Sequence, residues 1–247
     1  MNNIPKVIHY CWFGRNPLPK SAKKCIKSWK KFLPDYEIKE WNEDNFDVNM
    51  ITYTKEAYSE KRYAFVSDYV RFYVLYKFGG LYFDTDVEIL KPIDDIVEKG
   101  SFMGCETVVD DNFPLYVAPG LGLGFVSKHL FLKKMLEIYD KLHFINPDGT
   151  PNLKTIVQYT TDILIENGLK KINTIQNVMD INIYPKEYFN PYDCELNKFF
   201  ITSNTRTIHY YAASWLTKRE KFMKYVEKKF GGKAVYIIHK IKMFFSK

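Results

Sequence analysis

Asp84-Thr85-Asp86 is the stretch of this chain best suited to chemistry. It follows a short apolar run, Leu81-Tyr82-Phe83, that reads as a strand. In extended chain, residues two apart point the same way, so both carboxylates are expected to leave the strand on one side. Two hard oxygen ligands side by side suit a divalent cation such as Mn²⁺ or Mg²⁺. With so few protein ligands, such an ion takes others, and phosphate oxygens are the usual ones. An isolated Asp-x-Asp is more often a polar turn, so its neighbours decide. Asp68 and Arg71 are the second feature, three apart and therefore on one helix face. Inside apolar surroundings they carry a desolvation cost that close partners must offset.

The elements that position these groups follow from periodicity. Tyr63 to Phe78 is too long for a typical strand and apolar on almost every side, which predicts a buried helix. Gly79-Gly80 stops it and turns the chain, because glycine accepts positive φ without strain.

Taken together, Ser67-Asp68-x-x-Arg71, Gly79-Gly80-x-Tyr82-x-Asp84-x-Asp86 and Lys91-Pro92 closely resemble the sugar-nucleotide segment of glycosyltransferase family 32. That family includes bacterial capsular polysaccharide enzymes and the yeast initiating mannosyltransferase. The catalytic domains of the large clostridial glucosylating toxins share the segment. A second likeness is His209-x(4)-Ser214-Trp215, which resembles the element that folds over the donor diphosphate near the end of the family domain.

The resemblance implies an α/β fold of the GT-A type, with a mostly parallel central sheet flanked by helices. It implies a metal-dependent glycosyltransferase that moves a sugar from a UDP- or GDP-sugar with retention, in surface or capsular polysaccharide synthesis. The acceptor would be a saccharide or a lipid-linked saccharide. By motif position Asp86 binds the metal, and Asp84 reaches ribose, sugar or metal-bound water. Asp68 and Arg71 hold the transferred sugar and phosphate, while Ser67 and Tyr82 line the nucleotide side. Trp12 packs on the base, His209 completes the metal's ligands, and Ser214 and Trp215 bond the diphosphate. Trp12 also suits a plain core tryptophan, and His209 a satisfied histidine at a strand end. Rival readings are a non-catalytic carbohydrate- or membrane-binding relative and a metal-dependent phosphohydrolase. Intact Asp84, Asp86 and Arg71 argue against the first, and sparse Asp and His clustering against the second.

At 247 residues the chain can build one substantial core. It has no run of eighteen or more apolar residues that would predict a transmembrane helix. The start, Met-Asn-Asn-Ile-Pro-Lys, lacks an apolar signal core, so a cytoplasmic protein is expected, with the inner membrane face as its peripheral site if the basic tail binds lipid. Cys11, Cys25, Cys105 and Cys194 are scattered and read as buried thiols rather than zinc ligands. Of 36 Lys and Arg against 29 Asp and Glu, residues 217 to 247 hold ten against two, a balance of +8. The rest of the chain carries 26 against 27, or −1. That distribution argues against nucleic acid as partner and divides the chain into a catalytic domain, 1–216, and a basic amphipathic tail, 217–247. The tail's Val235, Ile238, Ile241, Phe244 and Phe245 stripe among lysines suits an anionic membrane surface or packing onto the domain.

In chain order, Ile4 to Phe13 is expected as a first buried strand, Pro19 to Phe32 as a helix, and Tyr36 to Trp41 as a second strand. Asn42 to Arg62 suggests two short helices, and Phe102 to Glu106 another strand. Asp110-Asp111-Asn112 reads as a solvated loop, and Pro119 to Gly124 as a backbone bend near the acceptor side. Helices follow over His129–Leu142 and Ile156–Asn167, then irregular strands from Ile172 to Phe200.

Overall fold

A computed structural model describes residues 3–107, 115–193, 196 and 198–212. Ser214, Trp215, the 217–247 tail, Cys194 and the Asp110-Asp111-Asn112 loop lie outside the described residues. Residues 1–210 form a compact unit.

Its first half runs β1 (Val7–Cys11), α1 (Lys20–Phe32), β2 (Glu37–Trp41), α2 (Thr52–Ser59), α3 (Tyr63–Phe78), β3 (Gly80–Tyr82) and β4 (Val87–Ile89). It continues α4 (Asp94–Val97), β5 (Phe102–Gly104), β6 (Leu123–Phe125), α5 (Leu130–Tyr139) and α6 (Ile156–Glu166). Then come β7 (Gln176–Val178), β8 (Ile181–Tyr184), α7 (Lys186–Phe189), β9 (Tyr192–Asp193), β10 (Lys198–Phe199) and β11 (Thr207–His209).

Among the described residues the main sheet has seven strands in the order β2-β1-β3-β6-β5-β8-β7. β2, β1 and β3 are mutually parallel; β6 runs against both β3 and β5; β8 is parallel to β5, and β7 opposes β8. Five strands therefore share one direction and β6 and β7 run the other way. This is the mostly parallel central sheet flanked by helices that the resemblance implied.

Strand alternation divides the interior into two cores. Ile8, Tyr10, Leu81 and Phe102 face Trp29 and Leu33 at α1, Ile93 and Ile96 at α4, and Phe189 of α7. Cys11, Tyr82, Met103, Leu123 and Phe125 face α3, α5 and α6 through Phe72, Leu75, Phe131 and Leu164. Each core is dense with ring contacts such as Trp29 on Phe83 and Phe125 on Phe131.

The expected helix at α3 forms over the expected residues and is buried on most sides, with Gly79 at φ 66 as its C-cap. Gly80, at φ 105, passes so near β1 that a Cβ there would lie 2.6 Å from the Val7 carbonyl oxygen. α1 likewise begins directly after Pro19.

Three expectations need correction. Asn42 to Arg62 holds one helix, α2, rather than two. Its first half is a set of turns in which Asn42, Asn45 and Asp47 side chains accept backbone N–H groups at 2.9 Å. Those local bonds compete with helix formation. The glycine-rich segment is no mere bend, because Leu123-Gly124-Phe125 is a central strand. Gly124 is required there since a Cβ would lie 2.3 Å from the Phe102 ring. Finally, β3 ends at Tyr82, so Asp84-Thr85-Asp86 is not extended. The Val87 N–H closes a turn onto the Asp84 carbonyl at 3.0 Å.

Candidate active site

The site lies at the carboxyl edge of the parallel strands, where ligands bind in open α/β sheets. β1 and β3 are paired in register, His9 opposite Tyr82, so Trp12 and Asp84 both follow strand ends at this edge. The turn after Phe83 divides the two carboxylates between different partners.

Asp84 looks inward. Its Oδ1 lies 3.2 Å from Arg71 Nη2 and 3.3 Å from the Tyr82 hydroxyl, which donates to it. Arg71 is 4% exposed. It donates to Asp68 Oδ1 at 2.9 Å and from Nε to the Ser67 carbonyl at 3.3 Å, and its guanidinium lies 4.8 Å from the Tyr82 ring centroid. Burial would strip the charge from this guanidinium, but Asp84, Tyr82 and Asp68 hold it firmly protonated. Burial pushes the Asp68 carboxyl up to about 7, opposed by Arg71 and aided by the Asp84 charge. The Cys11 thiol is raised to about 12 by burial, so it stays neutral and serves as packing beside Tyr82 and Ser67 rather than as a nucleophile.

Asp86 has a different set of partners. β4 leaves the main sheet and pairs antiparallel with β11, His209 opposite Val87. The Tyr210 N–H then donates to the Asp86 carbonyl at 3.0 Å, and His209 Nε2 reaches Asp86 Oδ1 at 3.0 Å. Burial pulls the His209 pKa down, but the Asp86 hydrogen bond and the charges of Asp86, Asp84 and Glu106 outweigh it, leaving it raised.

Candidate ligand atoms of Asp84, Asp86 and His209 lie within 4.8 Å of one another. Two carboxylates and an imidazole are a donor set that Mn²⁺ or Mg²⁺ accepts.

Of the residues singled out in the sequence, Ser67, Asp68, Arg71, Tyr82, Asp84, Asp86 and His209 come together. Trp12 stands at the same edge but packs on the α1-side core, its indole donating to the Asn16 carbonyl at 2.6 Å. The Ser67 hydroxyl donates to the Tyr63 carbonyl at 3.1 Å. Sequence reasoning missed Gly120, whose carbonyl accepts the Asp84 N–H at 3.2 Å. A Cβ on Gly120 would lie 2.2 Å from Asp84 Oδ2 and 3.4 Å from Arg71 Nη1. It also missed Glu88, which pairs with Lys24 at 3.1 Å and receives the Tyr210 hydroxyl. Alternation from Asp86 to Glu88 was the signal available for it.

Residues 19–103 match the glycosyltransferase sugar-binding region containing a DXD motif. It is 27% identical over 149 residues to inositol phosphoceramide mannosyltransferase 3 of Schizosaccharomyces pombe, covering 57% of this chain and 38% of that protein. It is 27% identical over 243 residues to mannosyl phosphorylinositol ceramide synthase CSH1 of Saccharomyces cerevisiae, covering 91% and 56%. The chain thus spans less than two thirds of either relative's length. Among solved structures, a glycosyltransferase involved in the glycosylation of the major capsid of PBCV-1 aligns with TM-score 0.45 at 12% identity, covering 90% of this chain and 100% of that one.

Proposed function

We propose that the chain is a metal-dependent retaining glycosyltransferase that transfers a sugar from a UDP- or GDP-sugar to a saccharide or lipid-linked saccharide acceptor. The convergence of Asp84, Asp86 and His209 beside the buried Arg71 is the observation that carries this reading. Asp84, Asp86 and His209 would hold Mn²⁺ or Mg²⁺, which neutralises charge on the departing diphosphate. Arg71 and Asp68 face the transferred sugar and its phosphate, and Arg71 also braces Asp84. Trp12, Ser67 and Tyr82 line the nucleotide side, and Ser214 and Trp215 close over the diphosphate. An acceptor hydroxyl attacks the anomeric carbon from the face the diphosphate leaves. The carbon–oxygen bond to phosphate breaks, and the hydroxyl proton passes to the leaving oxygen. Retention by this route needs no covalent nucleophile.

Two relatives named for mannosyl transfer to inositol phosphoceramide support a lipid-linked acceptor. Surface or capsular polysaccharide synthesis at the inner membrane face is the setting we infer, with residues 1–216 as catalytic domain and 217–247 as a membrane-seeking tail. The test is nucleotide release from a panel of nucleotide sugars with Mn²⁺, with and without EDTA. One donor should turn over, and EDTA should stop it. Donor binding without turnover toward any saccharide or lipid-linked acceptor would favour a non-catalytic relative, and full activity in EDTA would refute metal dependence.

A further inference from the structure

Helix α1 carries Lys20, Lys23, Lys24, Lys27, Lys30 and Lys31, all exposed, and no acidic residue. Lys20, Lys24, Lys27 and Lys31 recur at helical spacing and form one stripe, while Ala22, Cys25 and Trp29 fix the opposite face to the core. Lys24 sits within this stripe, with its Nζ 5.8 Å from the Tyr210 ring centroid. The Tyr210 ring in turn meets Phe199 edge to face, at 6.1 Å. Phe199 opens an exposed run, being 40% exposed, Phe200 52% and Ile201 57%, and Leu196 in the same β9–β10 hairpin is 60% exposed. The basic stripe and the apolar hairpin therefore adjoin through Tyr210, the residue after His209.

Single exposed apolar side chains need no explanation, but four large ones within six positions do. A saccharide platform would present ring faces among hydrogen-bonding groups, and Leu196 and Ile201 offer neither. A protein partner is disfavoured by the cations, since lysine is depleted at protein interfaces and lacks the fork that grips carboxylates. The chain's own 217–247 segment bears ten Lys or Arg against two Glu, so it does not neutralise the stripe. Diffuse ammonium groups beside inserted Phe, Leu and Ile match an anionic bilayer surface.

We propose that α1 and the β9–β10 hairpin form a surface that docks on an anionic phospholipid membrane. The lysine stripe lies over the headgroups, and Leu196, Phe199, Phe200 and Ile201 enter the acyl boundary. Docking holds the Asp86–His209 side of the site at the leaflet. This surface belongs to the folded unit and is independent of which sugar is moved.

The test is sedimentation of the full-length protein with vesicles of phosphatidylcholine alone or mixed with phosphatidylglycerol. Binding to the mixed vesicles and release by high salt are expected. Two variants follow, Phe200→Ser with Ile201→Ser, and Lys20→Ser, Lys24→Ser, Lys27→Ser and Lys31→Ser together. Each should weaken vesicle affinity by at least about tenfold, and the lysine variant should also show a shallower salt dependence, the remainder coming from the basic 217–247 segment. Thermal melts of both should stay near the parent, and the Phe200/Ile201 variant should keep vesicle-free donor hydrolysis. If the double serine variant fails to fold, Phe200→Gln alone serves. Parental binding by both variants, or no binding by the parent, overturns the proposal. So does a parent dimer that Phe200→Ser with Ile201→Ser converts to monomer with vesicle binding intact, which would make the patch an interface between copies.

Discussion

Three carboxylates and one guanidinium share this site, and each single change tests a different part of it. Asp86→Asn removes a charged ligand while keeping its shape. Transfer should fall by about 100-fold or more, on the order of 3 kcal/mol, with the melting temperature little changed. Near-normal turnover in that variant would sink the metal assignment. Arg71→Lys is not conservative here, because lysine cannot serve Asp68, Asp84 and the Ser67 carbonyl at once. A drop of roughly 10–100-fold in kcat is expected together with a lower melting temperature. A lower melting temperature with parental kinetics would reduce Arg71 to a structural brace. Gly120→Ala forces a methyl group onto Asp84 Oδ2. Overpacking of this kind costs about 1–3 kcal/mol in stability, and Mn²⁺ affinity should fall with it. Calorimetric titration showing parental Mn²⁺ affinity would remove Asp84 from the ligand set.

At the scale of elements, strand β1 and the end of helix α3 are joined through His9, which is buried. Its Nδ1 accepts the Trp41 indole N–H at 3.0 Å, so its Nε2 must carry the proton it shares with the Gly79 carbonyl at 3.0 Å. A second ring proton would point a donor at a donor. Burial lowers the pKa to about 4, helped by the Lys39 charge and opposed by the Gly79 hydrogen bond. The unfolded chain, with an ordinary histidine near 6.5, takes up that proton first. The His9 contribution to stability therefore stays level above about pH 6.5, falls as pH drops toward 4, and flattens below, a loss on the order of 3 kcal/mol. Urea unfolding of His9→Gln should show a lower stability and a shallower slope across that window. An equal slope in both proteins would mean that other groups dominate. The same scale explains how the candidate metal ligands meet, since β4 and β11 belong to a separate two-stranded ladder that carries His209 to Asp86 across a long stretch of sequence.

For the whole molecule, a cation held by folded Asp84, Asp86 and His209 but not by the unfolded chain must stabilise the fold. Mn²⁺ at about 100 times its dissociation constant contributes about 2.7 kcal/mol, a rise of roughly 5–10 °C in melting temperature for a chain of this size. Asp86→Asn should abolish the rise; an equal rise in that variant would place the ion elsewhere. If residues 1–216 are the catalytic domain, a chain ending at Lys229 should fold and hydrolyse donor at the parental rate. Loss of the folding transition in that shortened chain would assign the tail to the core.

The local elements were legible because their signals are local. Tyr63 to Phe78 is apolar all round and ends at two glycines, so its limits could be read directly. The Asp-x-Asp pair and the Asp68–Arg71 spacing likewise named their chemistry before any packing was known. The Leu123-Gly124-Phe125 strand was hidden, because glycine weakens strand propensity and its need arises from the Phe102 ring of another strand. Sequence alternation was also the wrong reason for the carboxylates to converge. They lie in a turn, and Asp84 is set by Arg71, Tyr82 and Gly120 while Asp86 is set by His209 and Tyr210. Each of those partners except Tyr82 lies on a distant segment or on the preceding helix, and hydrogen bonds between such segments form only once the sheet has closed.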